Sequence, residues 1–131
     1  MTYYHAHIER TKSICHSNQR QIDTVITARK YIDNNFQNDL DLNLLSQITS
    51  TSKYHLLRLF KRYYGLTPYQ YLIGKRLQGS KDCLKNGMAV TETCYSVGFE
   101  SPGSFSSFFK NKVGLSPSKF QKEQFSRSDQ N

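Results

Sequence analysis

Apolar residues recur at helical spacing along most of the chain, and no stretch alternates with the period of two that marks a half-buried strand. From Gln21 onward, Ile22, Val25, Ile26, Ile32 and Phe36 trace one helical stripe that runs out at Asn34-Asn35. Asp41 is placed to cap a short helix carrying Leu44, Leu45 and Ile48, stopped by the polar cluster Thr49-Ser50-Thr51-Ser52. Ser52 then caps a helix with Leu56, Leu59, Phe60 and Tyr63 inward, and Gly65 stands where a helix-ending glycine belongs. Thr67-Pro68 opens the next helix as a cap followed by proline in the first turn. Its inward side carries Tyr71, Leu72, Leu77 and Leu84, and Asn86-Gly87 closes it. Gly74 and Gly79 lie inside it, each costing about 1 kcal/mol relative to alanine. Thr91 is expected to cap a short helix bearing Cys94, Tyr95 and Val97, ended at Gly98. Ser101-Pro102 opens another, with Phe105, Phe108 and Phe109 inward as far as Gly114, and Ser116-Pro117 opens the last, with Phe120 inward. The expected fold is all-α, with about seven helices.

Part of this pattern is written twice. LLRLFKRYYGLTPYQY (Leu56–Tyr71) lies without gaps over FSSFFKNKVGLSPSKF (Phe105–Phe120). Phe60 meets Phe109, Lys61 meets Lys110, Gly65 meets Gly114, Leu66 meets Leu115 and Pro68 meets Pro117. Each copy reads as a basic helix, a glycine stop, a leucine, a hydroxyl cap, a proline and a new helix. A short amphipathic helix and a tight turn precede each copy, which completes a helix-turn-helix. The expected organisation is a polar tail at 1–20, a folded domain at 21–122 and a C-terminal tail at 123–131. Within the domain, the first unit covers about 41–64, a linker helix about 67–85 and the second unit about 91–113.

Charge sharpens the picture through its distribution. The chain of 131 residues carries a net charge of +8, which favours a polyanionic partner. Between Leu42 and Lys81 there is no Asp or Glu, but there are Lys53, Arg58, Lys61, Arg62, Lys75, Arg76 and Lys81. Between Ser101 and Lys122 acids are again absent, while Lys110, Lys112, Lys119 and Lys122 are present. Carboxylates that would repel phosphates are kept out of these two segments. Nine Tyr and eight Phe agree with a folded protein, and a chain of this size can bury a self-sufficient core. No apolar run reaches the ~18 residues of a membrane span, and the first residues lack the apolar core of a secretory signal. A soluble, cytoplasmic protein is expected.

From Thr24 to about Lys122 the chain resembles the DNA-binding domain of AraC/XylS-type transcription regulators. The most specific portion is TETCYSVGFESPGSFSSFFKNKVGLSP (Thr91–Pro117), and SKYHLLRLFKRYYGLTPYQYL (Ser52–Leu72) resembles the corresponding first motif. The resemblance implies two helix-turn-helix units that bind double-stranded DNA in the bacterial nucleoid, with base contacts at the positions of Tyr54 and Arg58. It also implies a role in transcription regulation, as an activator in many relatives, with contact to RNA polymerase. Many relatives join this domain to a sensor or dimerisation domain. This chain reads either as a small standalone regulator or as the DNA-binding end of a longer protein.

A recognition helix fits the major groove with its N-terminal half toward base edges, while basic side chains hold phosphates. In the first unit the candidate DNA-binding residues are Lys53, Tyr54, His55, Arg58, Lys61 and Arg62. Arg58 is the best base reader, because a guanidinium can bond guanine O6 and N7 together. In the second unit the candidates are Ser101, Gly103, Ser104, Ser106, Ser107, Lys110 and Lys112, with Ser107 in the place equivalent to Arg58. Two readings stand for this small face: close approach through hydroxyl and backbone contacts, or mainly non-specific affinity through Lys110 and Lys112. The second is favoured. The linker helix is expected to set adjacent major-groove spacing, roughly 34 Å. One chain then covers an asymmetric site of about 20 bp as a monomer, unless a dimerisation domain is attached. Gly74 and Gly79 are expected to soften that helix.

Enzymatic chemistry finds no support. There is no Gly-rich phosphate loop, no HExxH and no nucleophile elbow, and no cofactor is implied. His5, His7, Cys15 and His16 form the one conceivable metal cluster, and a solvated segment is the expected reading there. Cys15, Cys83 and Cys94 are too few and too scattered for a disulfide framework.

Overall fold

Several helix ends fall where a capping side chain or a left-handed glycine satisfies the backbone groups that the end leaves open. The computed structural model describes residues 3–129, with side chains for 16–127. Among these residues there are seven helices and no strand. They are α1 (Tyr3–Asn35), α2 (Leu42–Thr49), α3 (Lys53–Tyr64), α4 (Pro68–Lys85), α5 (Val90–Ser96), α6 (Pro102–Val113) and α7 (Pro117–Asp129). None of the described helices is long and apolar enough to cross a membrane.

The caps follow the punctuation. The Asp41 carboxylate accepts from Leu44 N at 2.8 Å, and the hydroxyls of Ser52, Ser101 and Ser116 accept from His55, Ser104 and Lys119 N. Gly65 and Gly114 end α3 and α6 at φ of 76° and 89°, each N–H returning to the carbonyl of Lys61 or Lys110 at 2.8 Å. A left-handed residue is required at both points, and glycine adopts it without a Cβ clash. The doubled motif is therefore a doubled stop.

The chain packs as two units. The first comprises the residues up to Ile32 together with Asp41–Tyr69. Val25, Ala28 and Ile32 of α1, Leu45 of α2, and Leu56, Leu59 and Phe60 of α3 are buried there. Tyr63, expected inward, is 39% exposed, and its hydroxyl donates to Gln21 Oε1 at 3.2 Å. The Arg29 guanidinium lies over the Tyr64 ring at 5.9 Å, a second tie between α1 and α3.

The second unit comprises Asp33–Leu40 and the chain from Gln70 onward. Its core is Leu84, Cys94, Val97, Phe105, Phe109 and Phe120, with Phe36, Leu77, Phe99 and Leu115 packed against it. Rings meet in tilted or edge geometry, Phe105 with Phe109 at 5.9 Å and Phe109 with Phe120 at 5.3 Å. Burial pushes the Cys94 thiol above its ordinary value. Burial and then the nearby Asp82 and Glu92 carboxylates do the same for Cys83.

Two of the expected helix limits need revision. The helix expected from Gln21 begins at Tyr3, and α7 continues through Asp129, so neither tail boundary coincides with the end of an element. Thr91 does not cap α5: the cap position is Ala89, without a side-chain bond, and Thr91 lies in the first turn. Gly79 sits in close packing, where a Cβ would meet the Phe36 ring at 3.1 Å and Val97 at 3.4 Å. Nothing lies within 4 Å of the corresponding point at Gly74. Contacts tie α4 to the last turn of α1. Tyr71 donates to Asp33 at 2.6 Å, Lys75 pairs with the same carboxylate at 3.3 Å, and most of the helix belongs to the second unit.

Candidate nucleic-acid interface

The face of α3 turned away from its core is set by helical arithmetic. Leu56, Leu59 and Phe60 are buried, and at about 100° per residue the opposite line runs through Tyr54, Arg58 and Lys61. Tyr54 is 80% exposed, and Lys53, Arg58, Lys61 and Arg62 are also exposed. Tyr54 is therefore a surface aromatic rather than part of the core. Among the described residues, no carboxylate engages Lys53, Arg58, Lys61 or Arg62; the ion pair seen is Lys75 with Asp33. Lys61 and Arg62 also stand in the last turn of α3, where cations oppose the negative end of the helix dipole. His55, flanking the line, is half-buried.

The same construction applies to α6, with Phe105 and Phe109 buried beneath it. Gly103, Ser107 and Lys110 lie on the outward line and are exposed. Ser104 is exposed too, while Ser106 is half-buried. Ser101 serves the helix itself: its hydroxyl accepts from Ser104 N at 3.3 Å and donates to Ser104 Oγ at 2.9 Å. Lys112, nine residues after Gly103, is turned about 180° away from it. It shares no face with Gly103 and Ser107. Asn111, exposed in the position equivalent to Arg62, does border that face. The repeat alignment pairs the two residues and could have pointed to it. A Cβ at Gly103 would meet nothing within 4 Å, so its absence leaves a flat spot that packing does not demand.

Beneath this face Arg76 holds the second unit together. Its Nε donates to Phe36 O at 2.8 Å and its Nη2 to Asn38 O at 3.0 Å. The guanidinium lies over the Phe99 ring at 5.9 Å. Gly98, at φ of 100°, lets the turn before α6 pass this group, since a Cβ would stand 3.1 Å from Arg76 Nη2 and 3.0 Å from Gln37 O. Arg76 is therefore an internal tie, while Lys75, paired with Asp33, keeps a side chain 39% exposed. Among the described residues no group of His, Cys, Asp and Glu is placed to hold a metal. Of the conceivable cluster, the side chains of His5, His7 and Cys15 lie outside the described residues.

Residues 45–123, more than half of the chain, match the family model of a helix-turn-helix domain. The Msm operon regulatory protein of Streptococcus mutans is 29% identical over 119 residues, 90% of this chain and 41% of that protein. AdaA of Bacillus subtilis, a bifunctional transcriptional activator and DNA repair enzyme, is 33% identical over 93 residues, 70% of this chain and 44% of AdaA. The C-terminal domain of AraT, a response regulator from Geobacillus stearothermophilus, has a similar fold. Its TM-score is 0.73 at 26% identity, covering 76% of this chain and 84% of that one. The chain spans about two-fifths of the length of the curated relatives it matches.

Proposed function

The chain belongs to the AraC/XylS-type family of helix-turn-helix regulators, and from that premise we propose that it is a sequence-specific, DNA-binding transcription regulator whose base readout rests mainly on α3. The observation that carries this reading is the exposed line Tyr54–Arg58–Lys61, opposite a buried face and, among the described residues, free of carboxylate partners. Arg58 has the two-pronged donor geometry that guanine presents acceptors for, and Tyr54 can pack on a thymine methyl or bond a base edge. Lys53, Lys61 and Arg62 serve phosphates. On α6, Ser104, Ser106 and Ser107 offer short hydroxyls that discriminate less than a bidentate arginine. Lys110 anchors that helix to the backbone, and Lys112, turned aside, contributes at longer range.

One chain covers an asymmetric site of about 20 bp, with the two recognition helices in successive major-groove segments. The activity follows from placement on DNA: activation through contact with RNA polymerase, in the cytoplasm at the nucleoid. The name of AdaA as a transcriptional activator supports this direction. No step of the proposal calls for catalysis by this chain.

The test is an anisotropy titration of the purified chain against random-sequence duplex, between 50 and 200 mM salt, with heparin as competitor. Phosphate contact releases counterions, so the logarithm of affinity should fall linearly with the logarithm of salt, at about −0.9 per phosphate engaged. A flat salt response, or no preference for duplex over heparin, contradicts the reading.

A further inference from the structure

The first unit has a polar cleft outside both recognition helices, on the side where α1 borders α3. An open cleft of about 370 Å³ lies there, lined by Ser17, Arg20, Gln21 and Thr24 of α1 and by Thr51 and His55 at the start of α3. Leu59 closes it from the core side. The Tyr63–Gln21 hydrogen bond holds α1 against this flank. His55 follows Tyr54 by one residue, so the cleft opens beside the exposed line of α3 rather than behind it.

Arg20 is the charged group of this cleft. It is exposed, and among the described residues its side chain has no hydrogen-bond or ion-pair partner. The lining carries no carboxylate. Asp23 lines the adjoining cleft, where it faces the turn Thr49–Thr51 together with Arg20, and it accepts from Gln19 Nε2 at 3.0 Å. Ser17 adds a hydroxyl, while that of Thr51 donates to Thr49 O at 3.0 Å. The cleft thus offers one unengaged guanidinium, an imidazole and a hydroxyl in a hollow open to solvent.

The dimensions of a docked helix-turn-helix say what such an edge would meet. An α-helix with its side chains is about 10–12 Å across, and the major groove is about 12 Å wide. The recognition helix fills the groove, so an element packed along its flank cannot follow it to the bases. That element faces the sugar-phosphate wall instead, where contacts position the protein without reading sequence. We infer that Arg20, assisted by Ser17 and His55, forms a phosphate-backbone contact that extends the DNA interface from α3 onto α1. This inference rests on the DNA-binding reading above. Arg20 and Ser17 lie outside the segment that matches the helix-turn-helix family model, residues 45–123.

The experiment compares the full chain with Arg20→Ala and Arg20→Lys on two duplexes, one selected from a random library and one of mixed sequence. With Arg20→Ala, affinity should fall several-fold and by the same factor on both duplexes, and the magnitude of the log–log salt slope should drop by about 1. Arg20→Lys should keep the slope, and the melting temperatures of all three proteins should agree, because the side chain is exposed. An unchanged slope and affinity in Arg20→Ala overturns the inference, as does a loss confined to the selected duplex, which would make Arg20 a base reader. If the unaltered chain itself shows no salt-dependent duplex binding, the DNA-binding reading fails first. If it binds and Arg20→Ala matches it, the extended interface alone is wrong.

Discussion

Two arginines of this chain show how little residue type says about role. Arg58 projects from α3 with no carboxylate engaging it among the described residues. Arg76, from the same acid-free stretch, holds two backbone carbonyls and lies over Phe99. The first could be found from periodicity, because Leu56, Leu59 and Phe60 define the opposite face. The second could not, because its acceptors are backbone carbonyls of Phe36 and Asn38, about forty residues upstream, and no side-chain pattern announces a carbonyl partner. Lysine lacks the planar fork that spans both carbonyls. Arg76→Lys is therefore expected to lower stability by about 2–3 kcal/mol, since hydrogen bonds to a charged group are lost. Urea unfolding monitored by circular dichroism measures this. A change within a few tenths of a kcal/mol would mean that the clamp is not needed.

At the scale of elements, the ends of α2, α3, α4 and α6 were legible because each carries its own stop and start chemistry. The start of α1 was not. Residues 1–20 lack a cap signal and an apolar stripe, yet a helix already nucleated downstream extends at little cost per residue. Ala89 was missed for the opposite reason: Thr91 looks like a cap but sits two residues too far in. The two glycines of α4 give the clearest test of element-level reasoning. Gly74→Ala should stabilise the protein by up to about 1 kcal/mol, because alanine is the better helix former and its Cβ enters open space. Gly79→Ala should destabilise it despite the same propensity gain, because the new Cβ presses on Phe36 and Val97. Thermal melts of the two variants should move in opposite directions. Equal upward shifts would show that the Phe36 ring gives way easily, and equal downward shifts that Gly74 is under a constraint the packing does not reveal.

Over the whole chain, duplication and divergence act on different residues. The scaffold of each copy is kept: hydroxyl cap, buried Phe and glycine stop recur in α3 and α6, and a proline opens the helix that follows each. The outward lines differ, Tyr54–Arg58–Lys61 in one and Gly103–Ser107–Lys110 in the other. The fold was legible because the repeated residues do packing and punctuation, which depend on local chemistry. The exposed residues were legible only as candidates, since their meaning depends on a partner; Asn111 and Arg20 escaped notice for that reason. The central claim is that the two units contribute unequally to sequence specificity. Selection of bound sequences from a random duplex library, run on the unaltered chain and on Arg58→Ala, tests it most directly. The account predicts strong base preferences concentrated in one half of a site of about 20 bp, with Arg58→Ala relaxing one or two base pairs there at about 1–3 kcal/mol. Equal base preference in both halves, or preferences untouched by Arg58→Ala, would contradict it.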